Sequence, residues 1–160
     1  MDFSVVERDF LRKYLPDFDW TGFDAPTEHV PLKKPVEECR VALVATSGAY
    51  IKGKQEPFAV KNLLGDDSYR IISYETPAGD IALSHPGYDT KRAAHDLDCV
   101  FPLAMLNTLK DKGAVGETAP RHFSFMGYIA RPERLLNETA PQVTGLLKED
   151  RVDLVILVPS

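Results

Sequence analysis

The fold class that the sequence predicts is α/β, and three observations predict it. The runs at residues 39–48 and 152–160 are apolar without regular alternation, which is typical of strands buried on both faces of a parallel sheet. Helical patterns separate the later strands, as crossovers between parallel strands require. The 160 residues are enough for one domain with its own core. We therefore expect a mainly parallel, Rossmann-like open sheet with helices on both faces.

The first part of the chain, residues 1–37, is predicted to form a helix and an extended arm outside the domain of residues 38–160. Ser4 and Glu7 match a capping box at the start of a helix over residues 4–14. Prolines and aromatic residues follow this helix, and a proline closes it. This composition favours an arm that lies across the body of the protein and is anchored by its aromatic side chains.

The remaining elements follow from apolar patterns and from turn residues. The predicted strands are residues 39–48, 69–74, 80–85, 122–128 and 152–160. The predicted helices are residues 101–112, which Gly113 caps, and residues 132–150, which Pro141 breaks or kinks. The pair of strands between residues 69 and 85 has two possible places, within the parallel sheet or in an antiparallel extension of it.

Charge and composition exclude several function classes. The chain has 19 basic and 24 acidic residues, a net charge of −5, and no run of Lys or Arg, so we expect neither nucleic acid nor an anionic membrane as a partner. No apolar run reaches the roughly 20 residues of a membrane span. Acidic residues near the start are unlike a signal peptide, and two cysteines form no disulfide framework. These features predict a cytoplasmic, reduced protein.

The candidate site lies where the predicted strands end, because ligands of open α/β sheets bind beyond the carboxyl ends of the strands. This rule selects Thr46, Ser47, Gly48, Ser84, His85, Met126, Gly127 and Ser160. The first three residues either form a turn whose amides and hydroxyls hold an anion or simply end a strand. The sequence has no glycine-rich nucleotide-binding motif there.

The stretch "SHPGYD" is the most polar group that follows a predicted strand. Ser84, His85, Tyr88 and Asp89 could supply an acid–base pair with an orienting carboxylate. The alternative is a tight Pro-Gly turn in which His85 caps the sheet and Asp89 caps the next helix. Both interpretations are open at the level of sequence.

The cysteines and the second histidine cluster favour structure over chemistry. His95, Asp96, Asp98 and Cys99 lack the spacing of a zinc site, so we predict no metal, a solvated helix face and a buried structural thiol. Cys39 opens a strand at the edge away from the candidate site and is also expected to be structural.

Several stretches in order carry a resemblance to a known family. They are "ECRVALVATSGAYIK", "GDDSYRIIS", "LSHPGYDT", "DLDCVFPLAMLNTL", "APRHFSFMGYI" and the closing "VDLVILVPS". Together they resemble the amino-terminal part of the selenoprotein B component of glycine, sarcosine and betaine reductases and the related D-proline reductase subunit. The resemblance covers roughly residues 30–160, and it rests on the ordered set of stretches.

The resemblance implies reductive cleavage of a small amino acid or amine. In that family a selenocysteine or cysteine immediately after a strand like the last one displaces the amino group from the α-carbon. A pyruvoyl group on another subunit holds the amine as an imine, so the resemblance implies other reductase subunits as partners and no cofactor in this chain. His85 would orient the substrate or donate a proton to the leaving amine, and His122 would lie at the far edge.

The departure from the family pattern is that the nucleophile would follow Ser160, where the sequence ends. We therefore expect no catalytic nucleophile in these residues and a domain truncated at its carboxyl end. A UGA codon read as a stop, a deliberate cut and a naturally split subunit are the three explanations. The alternative function is a non-catalytic subunit that binds a small carboxylate or another protein. In either case the uncovered last strand predicts a homo-oligomer.

Overall fold

The computed structural model describes residues 30–160, together with Lys13 and Pro16. The helix predicted over residues 4–14 and the arm up to residue 29 otherwise lie outside the described residues. A 3-10 turn at Val36–Glu38 leads directly into the first strand. The described body is therefore the part that corresponds to the predicted α/β domain.

Seven strands and three α-helices form this body. The strands are β1 (Arg40–Ala45), β2 (Ala49–Ile51), β3 (Tyr69–Ser73), β4 (Ile81–Leu83), β5 (Glu117–Thr118), β6 (Arg121–Phe125) and β7 (Leu154–Val158). The helices are α1 (Thr90–Ala93), α2 (Leu103–Asp111) and α3 (Ala140–Glu149). Short 3-10 turns lie at Ala78–Asp80 and Leu97–Cys99. The α/β class is confirmed, and every strand and helix predicted from residue 39 onward has a counterpart.

The main sheet is mixed, with β1 at its centre. β7 pairs in parallel with β1 from Val41 to Ala45, and β5 and β6 share the opposite edge of β1, also in parallel. β3 then pairs antiparallel with β6, while β4 pairs antiparallel with β2 in a separate two-stranded sheet. The open question of residues 69–85 is thus answered by two antiparallel pairings, one at the edge of the sheet and one outside it.

Helices cover the two faces of β1 because its side chains alternate between two apolar clusters. The first cluster contains Leu43 of β1, Phe101, and Leu106 of α2. The second contains Phe123 of β6 and Val143 of α3. Burial on both faces explains why the sequence of β1 is apolar without alternation.

The helix expected to break at Pro141 changes pitch instead. A π-helical turn at Leu135–Thr139 runs directly into α3, which places Pro141 in the first turn of the α-helix. Pro141 cannot donate the hydrogen bond that a continuing helix would use, and the wider π-helical turn before it accommodates this missing donor. The end of α3 is fixed by Arg121, whose Nε and Nη2 donate to the Asp150 carboxylate at 2.7 and 2.8 Å.

His122 closes the gap between β5 and β6. Its Nδ1 accepts a hydrogen bond from the N–H of Leu43 at 3.0 Å, so the imidazole replaces a backbone acceptor beside β1. The side chain is fully buried, and its Nε2 has no hydrogen-bond partner within the described residues. Burial lowers the pKa of His122 to about 4, which keeps the ring neutral. His122 is therefore part of the interior of the sheet.

No helix in the described part of the chain is both long enough and apolar enough to cross a membrane.

Candidate functional site

Three strand ends meet at Gly127, those of β1 and β7 of the main sheet and that of β4 of the separate two-stranded sheet. A Cβ atom on Gly127 would lie 2.8 Å from Nε2 of His85, 3.0 Å from the carbonyl oxygen of Ser160 and 3.3 Å from that of Thr46. These residues follow β6, β4, β7 and β1 respectively. An alanine at this point would displace the His85 ring and shift the neighbouring carbonyl groups by a few tenths of an ångström.

The turn after β1 continues strand pairing. The N–H of Thr46 donates to the carbonyl of Val158 at 3.0 Å, and the N–H of Gly48 donates to that of Phe125 at 2.7 Å. The Thr46 hydroxyl accepts from the N–H of Ser160 at 2.9 Å. Because these amides are already occupied, the structure favours the plain strand ending over the anion-holding turn.

Three further residues selected from the sequence offer a ligand no accessible, unpaired polar side chain. Ser47 and Met126 are fully buried and face each other in a β-bridge. The Ser84 hydroxyl donates to the carbonyl of Phe58 at 2.9 Å. The Ser47 Oγ is buried without a partner among the residues that the structure describes. These residues form the base of the edge rather than its surface.

Tyr88 and Asp89 support the turn interpretation of "SHPGYD". The Tyr88 hydroxyl donates to the carbonyl of Ser47 at 2.6 Å, and burial followed by the negative charge of a Cys99 thiolate raises the pKa of Tyr88 to about 12. Asp89 caps α1, since its Oδ1 accepts from the N–H groups of Lys91 and Arg92 at 3.0 and 3.2 Å. Neither side chain is available as a proton carrier for His85.

His85 is the ionisable side chain of the site that faces the converging strand ends. Its ring lies on that of Tyr88, with centroids 4.6 Å apart. The N–H of Gly87 points at Nδ1 at 2.9 Å, and the N–H of Gly127 points at Nε2 at 3.2 Å. Burial lowers the pKa of His85. The ring is thus held as a neutral hydrogen-bonding group at neutral pH.

The two cysteines differ in their exposure to solvent, and the sequence did not predict this difference. Cys39 is buried before β1, where its thiol donates to the carbonyl of Pro35 at 3.2 Å, as a structural residue should. Cys99 is exposed, so its prediction as a buried thiol was wrong. It lies in the turn before α2 and donates to the carbonyl of Asp96 at 2.8 Å, which holds it at the surface.

Within residues 30–160, no three acidic, His or Cys side chains cluster as metal ligands would.

Two clefts lie away from this edge of the sheet. A cleft of about 820 Å³ is lined by charged residues at the amino ends of the strands, among them Arg40, Glu117 and Asp150. A second cleft of about 560 Å³ includes His95 and Leu103. Neither is lined by a candidate residue of the carboxyl edge, but the second contains His95, Asp96 and Asp98 of the cluster that lacks the spacing of a zinc site. Charged side chains of the first cleft form ion pairs with one another, for example Arg40 with Glu117.

Comparison with known proteins supplies the family. The family model described as "Glycine/sarcosine/betaine reductase selenoprotein B" matches residues 12–160. The chain belongs to the selenoprotein B family. The membership confirms the resemblance that the ordered stretches carry.

One curated relative in the comparison is similar over nearly the whole chain. The D-proline reductase subunit gamma of Acetoanaerobium sticklandii is 33% identical over 156 residues, which are 98% of this chain and 60% of the relative. The chain therefore spans about three fifths of the length of that relative. No solved structure matches the chain.

Proposed function

We propose that this selenoprotein B-type chain is the amino-terminal portion of a reductase subunit for the reductive cleavage of an amino acid or amine. The substrate class is that of glycine, sarcosine, betaine and D-proline. The family supports a reductase component, and the observation that carries the site is the convergence of His85, Thr46 and Ser160 on Gly127. The substrate binds at this carboxyl edge of the sheet.

The redox nucleophile, in this proposal, belongs to a part of the subunit beyond these 160 residues. The relative is longer than this chain, which supports a further segment. A selenocysteine or cysteine would supply an anionic nucleophile, and a partner subunit would hold a primary or secondary amine substrate, such as glycine, sarcosine or D-proline, through a pyruvoyl group. Cys39 is buried at the opposite edge of the sheet, and Cys99 donates to its own turn. Neither thiol is assigned the reductive step.

The first test is to read the coding DNA beyond the codon for Ser160. We expect an in-frame UGA or Cys codon followed by an open frame that encodes the rest of the subunit. The longer polypeptide should reduce its substrate when its partner subunits and a dithiol reductant are present, and replacement of that nucleophile by Ser should abolish turnover. Cys99→Ser is the matched control and should retain it. A frame that closes at UAA or UAG, or loss of turnover in Cys99→Ser, would contradict this arrangement.

Three finer expectations from the sequence belong to the same proposal. We infer a Rossmann-like core, because parallel pairing of β1 with β5, β6 and β7 is combined with helices on both faces. A cytoplasmic location agrees with the reduced state that a catalytic thiol or selenol requires. Other reductase subunits are the expected partners.

The exposed edge of the sheet supports association. Within the described sheet β7 pairs on one side alone, and Leu157 on this strand is 71% exposed. An unpaired apolar edge strand favours contact with another chain. We expect this 160-residue chain to scatter light as a dimer or larger species, and Leu157→Lys to shift it toward monomer. Leu63→Lys, which changes a 68% exposed leucine outside the sheet, is the control. A wild-type monomer at high concentration would contradict the prediction.

A further inference from the structure

The last strand, β7, has the sequence of an interior strand and the position of an edge strand. All five residues of Leu154–Val158 are apolar, which is typical of strands buried on both faces of a parallel sheet. Natural edge strands usually carry charged residues or proline that discourage further pairing. In the described sheet β7 pairs with β1 alone, and Ile156 and Leu157 are exposed. β7 is therefore suited to a neighbouring strand on its free side.

The strand register assigns the two exposed side chains of β7 to opposite faces of the sheet. Ile156 pairs with Leu43, whose side chain belongs to the apolar cluster under α2. Leu157 pairs with Val44, which packs in the cluster that contains Val143 of α3. Leu157, the more exposed of the two, therefore lies on the α3 face of the sheet.

The connectivity of the sheet determines the face on which a further crossover would lie. Crossovers between parallel strands are right-handed in about 98% of cases. The connection from β6 to β7 passes over β1, and its helix, α3, covers the face of Leu157. A further strand on the free side of β7 would continue in the same direction across the sheet. A crossover of the same hand would then place its helix on the α3 face, where Leu157 is uncovered.

The chain leaves β7 at the carboxyl edge of the sheet. The N–H of Ser160 donates to the Thr46 hydroxyl at 2.9 Å, which holds Ser160 beside the ends of β1 and β7. Two fifths of the D-proline reductase relative, on the order of 100 residues, lie outside the part that matches this chain, whereas a strand–helix–strand unit needs about 30 residues. A segment of that length is enough to return to the amino edge and add a parallel strand.

We propose that the polypeptide after Ser160 adds a parallel strand to the free edge of β7 and packs its crossover helix on Leu157, beside α3. This inference rests on the proposed function, which places the rest of the subunit after Ser160. The nucleophile of that proposal then lies in the turn between β7 and the crossover helix, at the same edge as His85 and Gly127.

The same edge accounts for the dimer that is expected of the 160-residue chain. Without the following segment, a second copy can use the uncovered apolar surface of β7. In the longer subunit the segment competes well with a second copy, because a short connection gives it an effective concentration in the millimolar range. The longer subunit should therefore keep β7 covered at dilutions where copies separate.

Hydrogen exchange of the longer subunit, read by mass spectrometry of its peptides, tests the added strand. We expect the amides of β7 to exchange at least about tenfold more slowly than in the 160-residue chain, diluted until that chain is monomeric. β3 is the matched control, because it also pairs on one side alone in the main sheet. Its amides should exchange at similar rates in the two proteins.

Two alanine variants of the longer subunit test the position of the crossover helix. Leu157→Ala should lower the melting temperature by roughly 5 °C or more, because it removes a side chain that the helix buries. Leu63→Ala shortens a leucine of similar exposure outside the sheet and should change the melting temperature by about 1 °C or less. In the monomeric 160-residue chain, the two variants should have equally small effects.

The outcomes distinguish this inference from the proposed function. Fast exchange of β7 in a longer subunit that reduces its substrate overturns the added strand and leaves the function standing. Slow exchange of β7 together with the loss of stability in Leu157→Ala, in a subunit without turnover, supports the strand and contradicts the function. Protection of β7 that disappears on dilution assigns the edge to a second copy and overturns the inference. A reading frame that closes after Ser160 overturns both.

Discussion

Gly48→Ala is expected to lower the free energy of unfolding by on the order of 3–4 kcal/mol, or to prevent folding altogether. Gly48 has a φ of 67°, a conformation that costs an alanine about 1–2 kcal/mol. A Cβ atom would also lie 2.1 Å from the carbonyl oxygen of Ser84, which is backbone and has no rotamer to change. The movement that relieves this contact breaks the hydrogen bond from Ser84 N–H to the Gly48 carbonyl.

The chain offers a matched control for this substitution. Gly53 has a similar φ of 72°, and a Cβ atom there would meet nothing within 4 Å. Gly53→Ala should therefore lose only the conformational part, about 1–2 kcal/mol. Urea denaturation followed by circular dichroism measures both variants. Equal losses for the two alanines would mean that the approach of Ser84 to Gly48 does not constrain the fold.

Acid should destabilise the protein through His122 by about 3 kcal/mol between pH 6.5 and pH 4. Burial lowers the pKa of this histidine from 6.5 to about 4 in the folded chain, so the unfolded chain binds the proton first as the pH falls. The contribution to stability is fully present above pH 6.5 and is lost progressively toward pH 4. A proton on Nδ1 would also remove the acceptor of the Leu43 N–H. The free energy of unfolding measured across this pH range tests the prediction.

Two variants assign the pH dependence to this one group. His122→Asn retains an oxygen near the position of Nδ1 as an acceptor and does not titrate, so the stability should change much less between pH 6.5 and pH 4. His95→Asn alters an exposed histidine and should leave the slope as in the wild type. A slope that persists in His122→Asn would assign the acid sensitivity to other groups.

Pattern was enough to predict where the longer elements lie. β1 is a short apolar run buried on both faces, and α2 has proline before it and glycine after it, so local chemistry and tertiary environment agree. β7 was also predicted to be buried on both faces, and this was wrong, because Ile156 and Leu157 are exposed. β2 and β5 were missed because two or three residues carry no periodicity. Their pairing depends on contacts between residues that are distant in the sequence, such as Ile51 and Ile81. A local sequence pattern does not predict such contacts.

The carboxyl-edge rule selected residues by their position in the chain, and the role of each depended on the folded backbone. Thr46, Gly127 and Ser160 follow β1, β6 and β7 of the main sheet, as the rule requires. His85 follows β4 of the separate two-stranded sheet, so its place beside Gly127 does not follow from the rule. The roles of Tyr88 and Asp89 depended on which backbone atoms came within reach of their oxygens, and this is decided only by the folded turn. The exposure of Cys99 depended in the same way on the packing of a 3-10 turn.

The contrast between the two thiols makes this chain suitable for site-selective labelling. Cys39 has no exposed surface, whereas Cys99 is exposed, and the sequence contains no other cysteine. A maleimide fluorophore should therefore attach at one position in the native protein without mutagenesis. Cys99 lies close enough to influence the pKa of Tyr88, whose ring packs on that of His85. A dye at this position would be an optical reporter of events at the carboxyl edge of the sheet.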